Sequence, residues 1–501
     1  MENLLANISL GFGQALSFQN LMYCFIGVLY GTVLGVLPGI GAIVGISILL
    51  PLTYTLPPTS AVVMLAGIYY GSAYGGSTTS ILVNTPGEAS SVVTCFDGFQ
   101  MAKQGRAKAA LATSAIGSFF AGTLATVAIM LVAQPIAQLG IKFTPAEYFS
   151  LLLLAMTMVG TLMADSPIKG FLSTLVGLWL ATVGMELQTS QARFTFDSPY
   201  LDEGINFIIV AIGLFAIPEV LVQAELIAKH GLQKREKVSG QYWITLKELK
   251  QSFMPYVRGT ILGFLVGVLP GAGSTPATFF TYGLEKKFSK HPERFGKGAI
   301  EGVAAPEAAN NAANQGAFVP LLALGIPGSA TTALLLGAFS MYGVQAGPLL
   351  FDKDPGFVWT IICSMYIGNV MLLILNLPLV NIFVKLLDLP AALLYSMVLA
   401  FCTVGVYCIR FAAFDLMLMV FFGIVGYFMR KHDYPAAPLL LGLLLGDMIE
   451  QGLLRALTLA GGSWSVFVTR PISLGLLSLT VFSLAYSFVK YFRTRNKPVI
   501  V

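Results

Sequence analysis

Four short motifs place a proline beside a glycine inside long apolar stretches of the 501-residue chain. Two are the runs GVLPGIGA (35–42) and GVLPGAGS (267–274), and the other two are TPG (85–87) and IPG (326–328). Such a pair breaks a helix and frees backbone N–H and C=O groups. The N–H groups at the start of a half-helix attract a carboxylate, and unwound carbonyls suit Na⁺. The breaks therefore predict an anion site and a cation site that need no buried arginine.

We assign the candidate ligands to residues at and near these breaks. The predicted substrate-binding residues are Pro38, Gly39, Asn84, Thr85, Pro86, Gly87, Gly271, Gly273, Ser274, Asn310, Asn311, Pro327, Gly328 and Ser329. The predicted cation-binding residues are Gly39, Gly41, Ser77, Thr78, Glu307, Asn310 and Thr331. In the alternative, the glycines only permit close helix packing and the prolines only kink the chain. Because the breaks come in two pairs, we favour a binding site.

One segment, EGVAAPEAANNAANQG (301–316), is unusually polar for its position directly before the apolar run FVPLLALGIPG. Spacings of three and four place four polar side chains on one helical face: Glu307, Asn310, Asn311 and Asn314. The pattern predicts a carboxylate and amides that line a cavity. The alternative is a solvated loop with a helix cap.

Other charged groups are weaker candidates. Asp447 and Glu450 lie at membrane depth with Arg455, and for them we favour a structural network or a subunit contact over a transport site. The histidines all fall in charged loops, which argues against a histidine proton relay. The sequence contains no nucleophile–base pattern, metal cluster or GKS/GKT run, so we expect no enzyme activity and no transition metal.

The composition predicts a membrane protein. The chain is 56% hydrophobic and 11% charged, with a mean hydropathy of +0.78, so it cannot fold as ordinary soluble domains. Stretches long enough to cross the bilayer as helices lie at 111–131, 148–163, 207–227, 358–379, 391–408 and 474–491. We predict an all-α integral membrane protein with roughly 10–14 membrane segments, some of them broken or re-entrant.

Lysine and arginine gather in a few loops, at 103–108, 229–250, 286–297, 430–431 and 490–497. The positive-inside rule places these loops in the cytoplasm. The net charge of +5 therefore reflects membrane topology, and we expect no nucleic-acid partner. Since the first 102 residues contain no lysine or arginine, we also expect no cleaved signal peptide.

The breaks repeat along the chain. Subtracting 37 from 269 gives an offset of 232 for the LPG runs, and subtracting 86 from 327 gives 241 for the second pair. In the first half the loop after the LPG run is uncharged and the loop after the second break is basic. The second half reverses this order, at 286–297 and 341–350. Equivalent loops then lie on opposite sides, which predicts two inverted-topology repeats.

This repeat sets the predicted domains. The first half, 1–228, has a broken-helix core at 20–108 and frame helices at 110–228. A basic cytoplasmic linker, 229–251, leads to the second half, 252–501, with its core at 252–350 and frame at 356–495. An elevator-like slide of the core against the frame is the favoured mechanism, with a rocking movement as the open alternative.

Four runs also carry a family resemblance: GVLPGIGA, AGIYYGSAYGGSTTSILVNTPGEASSVVTCFDGFQMAKQGRA, RGTILGFLVGVLPGAGS and FGKGAIEGVAAPEAANNAANQGAFVPLLALGIPGSATTALLLGA. They resemble the large membrane subunit of the tripartite tricarboxylate transporters. The likeness covers nearly the whole chain and is densest at 31–108 and 256–348. The family's motif positions correspond to Pro38 and Gly39, Asn84 to Gly87, Pro270 to Ser274, Glu307 to Asn311, and Pro327 to Ser329.

The resemblance implies a multi-pass secondary transporter of the bacterial inner membrane that imports a di- or tricarboxylate, such as citrate. It implies two partners, a small membrane subunit and a periplasmic solute-binding protein, and a gradient of Na⁺ or H⁺ as the driving force. The loop histidines and the exposed carbonyls favour Na⁺, whereas H⁺ would point to Glu307 or Glu301. The rival function is a carboxylate channel or an assembly platform without coupled transport.

The charge pattern predicts that Lys103, Lys234 and Lys290 all face the cytoplasm. Single cysteines placed there, in a chain without other cysteines, should resist membrane-impermeant thiol reagents added from the periplasm. Labelling of one of the three from outside would refute the inverted repeat.

Overall fold

The computed structural model describes residues 2–37, 40–162, 166–186, 191–230, 243–377 and 391–495. Within these ranges the chain is almost entirely helical. One antiparallel pair of two-residue strands, β1 (Gly184–Met185) and β2 (Ala192–Arg193), is the only sheet in this part of the chain. The predicted all-α fold is confirmed.

The helices that precede residue 231 are α1 (Glu2–Ala15), α2 (Phe18–Val36), α3 (Gly41–Leu49), α4 (Pro58–Val83), α5 (Val92–Lys103), α6 (Ala107–Ile141), α7 (Pro145–Leu162), α8 (Pro167–Ala181), α9 (Pro199–Asp202) and α10 (Phe207–His230). Those that follow are α11 (Leu246–Val268), α12 (Ser274–Phe288), α13 (Glu301–Gly316), α14 (Phe318–Leu324), α15 (Ala330–Met341), α16 (Leu350–Lys353), α17 (Pro355–Asn376), α18 (Ala391–Arg410), α19 (Ala413–Lys431), α20 (Ala436–Leu459), α21 (Val466–Thr469) and α22 (Pro471–Arg495). Three 3₁₀ turns join them, at Pro51–Thr55, Ala89–Ser91 and Pro292–Arg294.

Seven of the described helices are long and apolar enough to cross a membrane: Phe18–Val36, Ala107–Ile141, Phe207–Lys229, Pro355–Asn376, Ala413–Lys431, Ala436–Leu459 and Pro471–Val489. Shorter apolar helices accompany them, at Pro145–Thr161, Pro167–Ala181, Ala330–Met341 and Tyr395–Arg410. The chain is therefore a multi-pass membrane protein. The total number of membrane segments remains a prediction.

The chain forms two compact units. The first comprises residues 1–137 and 219–408, and the second comprises 138–218 and 409–501. All four breaks, and thus both predicted broken-helix cores, belong to the first unit. Part of the predicted linker, at 231–242, lies outside the described residues.

Each proline–glycine motif interrupts a helix as its sequence predicts. The LPG runs follow directly on α2, which ends at Val36, and on α11, which ends at Val268. The second pair of breaks begins at residues in the left-handed region, Asn84 with φ 53° and Gly325 with φ 69°. A glycine or an asparagine adopts this conformation at lower cost than other residues, which explains its place at the helix end.

In the first half, α2 and α4 approach each other at backbone distance. A Cβ atom at Gly31 would lie 2.5 Å from the carbonyl oxygen of Ile68, and one at Gly35 would lie 2.2 Å from that of Ser72. No side chain fits at such separations. These glycines therefore allow the two helices to pack carbonyl against Cα.

The second half repeats these contacts at the offsets found in the sequence. A Cβ at Gly263 (31 plus 232) would lie 2.4 Å from the carbonyl oxygen of Ala309 (68 plus 241). One at Gly267 (35 plus 232) would lie 2.2 Å from that of Ala313 (72 plus 241). The pair α11 and α13 is thus the structural copy of α2 and α4.

Loops of the two halves meet crosswise: the loop after the second break of each half contacts the loop after the LPG run of the other half. After the second break of the first half, Gln104 donates from Nε2 to the carbonyl oxygen of Lys297 at 2.8 Å, in the loop after α12. After the second break of the second half, the Tyr342 hydroxyl donates to the carbonyl oxygen of Thr53 at 2.5 Å, in the loop after α3. A parallel repeat would bring loops of the same kind together. The crosswise contacts agree with the inverted arrangement, which stays a prediction together with its orientation in the membrane.

The glycine contacts predict an asymmetric response to alanine. Gly267→Ala should lower the thermal midpoint of the purified protein, because overpacking costs about 1–3 kcal/mol of unfolding free energy. Gly283→Ala is the matched control on α12, since a Cβ there would have no neighbour within 4 Å. It should leave the midpoint unchanged or raise it, because alanine favours a helix. Equal midpoints for both variants would contradict this account of the packing.

Candidate functional site

The carboxylate of Glu307 is the centre of the candidate site. Its side chain on α13 is buried, and it accepts hydroxyl hydrogen bonds from three helices of the first half. Ser77 on α4 and Ser114 on α6 donate to Oε2, each at 2.7 Å, and Thr94 on α5 donates to Oε1. None of the ion pairs found among the described residues includes Glu307. The site is a buried carboxylate surrounded by neutral oxygen atoms.

Asn311, one helical turn after Glu307, connects α13 to α6. Its Nδ2 donates to the Ser118 hydroxyl on α6 at 2.7 Å and to the carbonyl oxygen of Glu307 at 3.2 Å. Helix α13 is buried from Gly302 to Gly316. The polar face predicted from spacing therefore exists, and the alternative of a solvated loop is wrong.

Such an arrangement has limited chemical options. An ionised carboxylate buried without a countercharge is costly, so it binds a cation or carries a proton. Hydroxyl and carboxylate oxygens are ligands that hard cations prefer. The structure thus joins two of the predicted cation-binding residues, Ser77 and Glu307. Thr78 and Thr331 are also buried, but they are not among the hydrogen-bond partners of Glu307.

At the first-half break, a side chain of the protein itself lies against a helix start. Glu88 accepts a hydrogen bond at Oε1 from the backbone N–H of Ala42, at 2.8 Å, and another from the Ser72 hydroxyl. A Cβ at Gly41 (φ 60°) would lie 3.3 Å from Cγ of Glu88. The N-terminal end of α3 is therefore already in contact with a carboxylate. The sequence analysis missed Glu88, although an acid directly after TPG is visible there.

The second-half break brings several predicted residues together. The backbone N–H of Gly273 donates to the carbonyl oxygen of Gly328 at 3.2 Å. Ser329 is the N-cap of α15, since its hydroxyl accepts from the backbone N–H of Thr332 at 3.2 Å. The same hydroxyl lies 3.1 Å from the Tyr69 hydroxyl of the first half. Ser329 is thus at the predicted place, with its hydroxyl bound inside the protein.

The remaining predicted residues have varied surroundings. Asn84 is exposed and Thr85 and Pro86 are half-buried, whereas Gly87, Gly271 and Pro327 are buried. A Cβ at Gly87 would lie 2.1 Å from the carbonyl oxygen of Gly35, so this position is fixed by packing. Pro38 and Gly39 lie outside the described residues.

Two amides on α13 have no hydrogen-bond partner within the described part of the chain. Asn310 and Asn314 are each 1% exposed, and neither the Nδ2 nor the Oδ1 of either side chain is paired. An unpaired buried polar group costs about 1–3 kcal/mol, so such groups are kept where a polar ligand pairs with them. Asn310 was predicted from the sequence as a ligand, and its environment supports that prediction.

Among the weaker candidates in the second compact unit, Glu450 forms an ion pair with Arg193. Arg193 on β2 donates to both carboxylate oxygens of Glu450, at 2.6 and 3.1 Å. The Glu450 carboxylate raises the pKa of the Arg193 guanidinium above its usual range. Arg455 is exposed and contacts Gln451. These contacts support the structural interpretation of this group.

Asp97 is a second residue that the sequence analysis missed. It is fully buried on α5, and its Oδ1 accepts backbone hydrogen bonds from Gly298 at 2.8 Å and Ala299 at 2.7 Å. Its Oδ2 accepts from the Tyr282 hydroxyl at 2.9 Å. This carboxylate joins the first half to the start of α13. No local pattern marks it, because its partners lie about 200 residues away.

Comparison with known proteins adds the family. Residues 21–441 match the model described as the tripartite tricarboxylate transporter TctA family. The chain is 45% identical over 503 residues to an "Uncharacterized 52.8 kDa protein in TAR-I ttuC' 3'region" of Agrobacterium vitis, covering 100% of this chain and 99% of that protein. It is 44% identical over 239 residues to an "Uncharacterized protein in TAR-II ttuC' 3'region" of the same organism, covering 48% of this chain and 99% of that protein. No solved structure matches significantly. The family match confirms the resemblance found in the motifs.

The two serines that follow the second-half breaks should differ in their effect on stability. Ser329→Ala removes an N-cap and should lower the free energy of unfolding by about 0.5–2 kcal/mol. Ser274→Ala should leave it unchanged, because the side chain of this first residue of α12 makes no hydrogen bond within the described residues. Thermal unfolding of the purified variants measures both, and a larger loss for Ser274→Ala would contradict the capping assignment.

Proposed function

Because the chain belongs to the tripartite tricarboxylate transporter TctA family, we propose that it is the membrane subunit that carries a di- or tricarboxylate, such as citrate, into the cell by cation-coupled transport. The single observation that carries the coupling is Glu307, a buried carboxylate bound by hydroxyls from three helices and by no basic residue among the described contacts. Transport, and no catalysis, is the proposed activity.

The breaks supply the anion site. Backbone N–H groups at the start of a half-helix bind a carboxylate without a buried arginine. Helix α12 begins at Ser274 directly beside the second break of its own half, through the hydrogen bond between Gly273 and Gly328. We assign one substrate carboxylate to this place.

The coupling ion is Na⁺ in this proposal. The ligands of the Glu307 site are hydroxyl and carboxylate oxygens, which suit a small hard cation. Its neighbours on α4, α5 and α6 come from the first half, whereas Glu307 comes from the second. A cation bound there therefore contacts both halves, so its affinity depends on how the two halves are arranged.

The crosswise loop contacts support alternating access. Inverted halves permit two related conformations, one open to each side of a membrane. We propose an elevator-like movement of the broken-helix core against the frame helices. In this proposal the chain lies in the bacterial inner membrane, assembles with a small membrane subunit, and receives its substrate from a periplasmic solute-binding protein.

Glu307→Gln tests this function in the complex reconstituted in vesicles. The wild type should concentrate labelled carboxylate when a Na⁺ gradient is imposed. The variant's apparent affinity for Na⁺ in carboxylate uptake should be roughly ten- to a hundredfold weaker, the range expected when a contact to a charged group is lost. Glu293→Gln is the matched control, because that carboxylate lies in an exposed loop.

Two results would contradict the proposal. A wild-type complex that equilibrates but never concentrates the carboxylate is a channel or an assembly platform. Undiminished Na⁺-driven accumulation by Glu307→Gln would exclude Glu307 as the coupling site.

A further inference from the structure

Glu88 and Asn310 are the repeat counterparts of two residues that are in contact, Ser329 and Tyr69. Subtracting 241 from 310 gives 69, so Asn310 is the copy of Tyr69. Subtracting 241 from 329 gives 88, so Ser329 is the copy of Glu88. The repeat therefore relates two pairs of residues. The pair Tyr69 and Ser329 corresponds to the pair Asn310 and Glu88.

The first of these pairs is in contact. The Tyr69 hydroxyl on α4 lies 3.1 Å from the Ser329 hydroxyl, across the boundary between the halves. The packing around both pairs is crosswise: α15 packs on α3 and α4, while the turn at Ala89–Ser91 packs on α12 and α13. By the same offset, the counterpart of this contact is the pair of Asn310 on α13 and Glu88 at the first-half break. Asparagine is much shorter than tyrosine, and it carries an amide oxygen where the first pair has a phenol hydroxyl.

The side chains of this second pair, with Ser72, offer oxygen ligands without a countercharge. Glu88 accepts hydrogen bonds from the Ala42 N–H and the Ser72 hydroxyl at Oε1, and its side chain also accepts from the backbone N–H of Ser91. No ion pair of the described residues includes it. Asn310 is 1% exposed and its Oδ1 has no partner in the described part of the chain. A carboxylate, a hydroxyl and an amide oxygen form a ligand set typical of hard cations.

This group is separate from the Glu307 site. Ser72, which contacts Glu88, and Ser77, which contacts Glu307, are five residues apart on α4. That separation is about 7.5 Å along a helix, too far for one small cation to bind both.

We propose that Glu88, Ser72 and Asn310 form a second Na⁺ site, which is completed across the two halves at the first-half break. The inference rests on the proposed cation-coupled transport and adds a second cation to it. Bound Na⁺ neutralises Glu88, whose negative charge otherwise repels the carboxylates of an approaching substrate. By linkage, substrate and this Na⁺ then increase each other's affinity.

Glu88→Gln and Asn310→Ala test the site from both halves. Glutamine keeps the size of the side chain and an oxygen that accepts from the Ala42 N–H, so the fold should survive. The Hill coefficient for Na⁺ in carboxylate uptake should fall from about 2 in the wild type to about 1 in either variant. Glu293→Gln, the exposed-loop control, should keep the wild-type value.

A second measurement does not depend on transport. NaCl, compared with choline chloride, should raise the thermal midpoint of the purified wild-type chain, and this increase should be smaller in Glu88→Gln and Asn310→Ala than in Glu293→Gln. Equal increases in all four proteins, or no increase in the wild type, would overturn the second site.

The outcomes separate this inference from the function on which it rests. If Glu307→Gln abolishes Na⁺-driven accumulation while Glu88→Gln keeps the wild-type Hill coefficient, the second site is wrong and the transporter stands. If the wild type never concentrates the carboxylate while Na⁺ still stabilises it through Glu88, the Na⁺ site stands and the transport function is wrong.

Discussion

Backbone packing at glycine positions is the constraint on which the broken-helix core depends. In each half, a carbonyl oxygen of one helix lies where a side chain of the other would begin, as at Gly35 with Ser72 and at Gly267 with Ala313. A contact of the same kind fixes the second break of the first half, because a Cβ at Gly87 would lie 2.1 Å from the carbonyl oxygen of Gly35. Close packing excludes lipid from unpaired backbone groups, which would cost several kcal/mol each in hydrocarbon. The helix starts at the breaks exist only under this condition.

Three acidic groups of the core, Asp97, Glu307 and Glu88, differ in their hydrogen-bond donors. Asp97 receives backbone N–H groups and the Tyr282 hydroxyl, a set of donors that satisfies a carboxylate permanently. Glu307 receives hydroxyls, whose oxygens also serve as cation ligands when the group is rotated. Glu88 receives the backbone N–H groups of Ala42 and Ser91 and the Ser72 hydroxyl. The donor type therefore separates Asp97, which is bound mainly by backbone N–H groups, from Glu307, which is bound by hydroxyls.

Prediction from sequence succeeded for local features and was incomplete for the site. The interruptions after Val36 and Val268 and the buried polar face of α13 follow from residue type and spacing, because proline and helical periodicity act over a few residues. Ser329 was assigned to substrate, but its hydroxyl caps α15 and contacts Tyr69. Spacing cannot reveal this, since a serine after a break suits a cap and a ligand equally well.

The sequence by itself determined the membrane class, the helix breaks and the two offsets of 232 and 241 that the glycine contacts reproduce. These properties follow from composition and from residues that act on their own backbone. Only the tertiary structure decided which groups meet. Thr94 and Ser114 lie 213 and 193 residues from Glu307 in the sequence. Their hydroxyls reach its carboxylate because the packing of the helices brings these side chains together. Contacts of this kind depend on the packing of several helices at once, so no single segment encodes them.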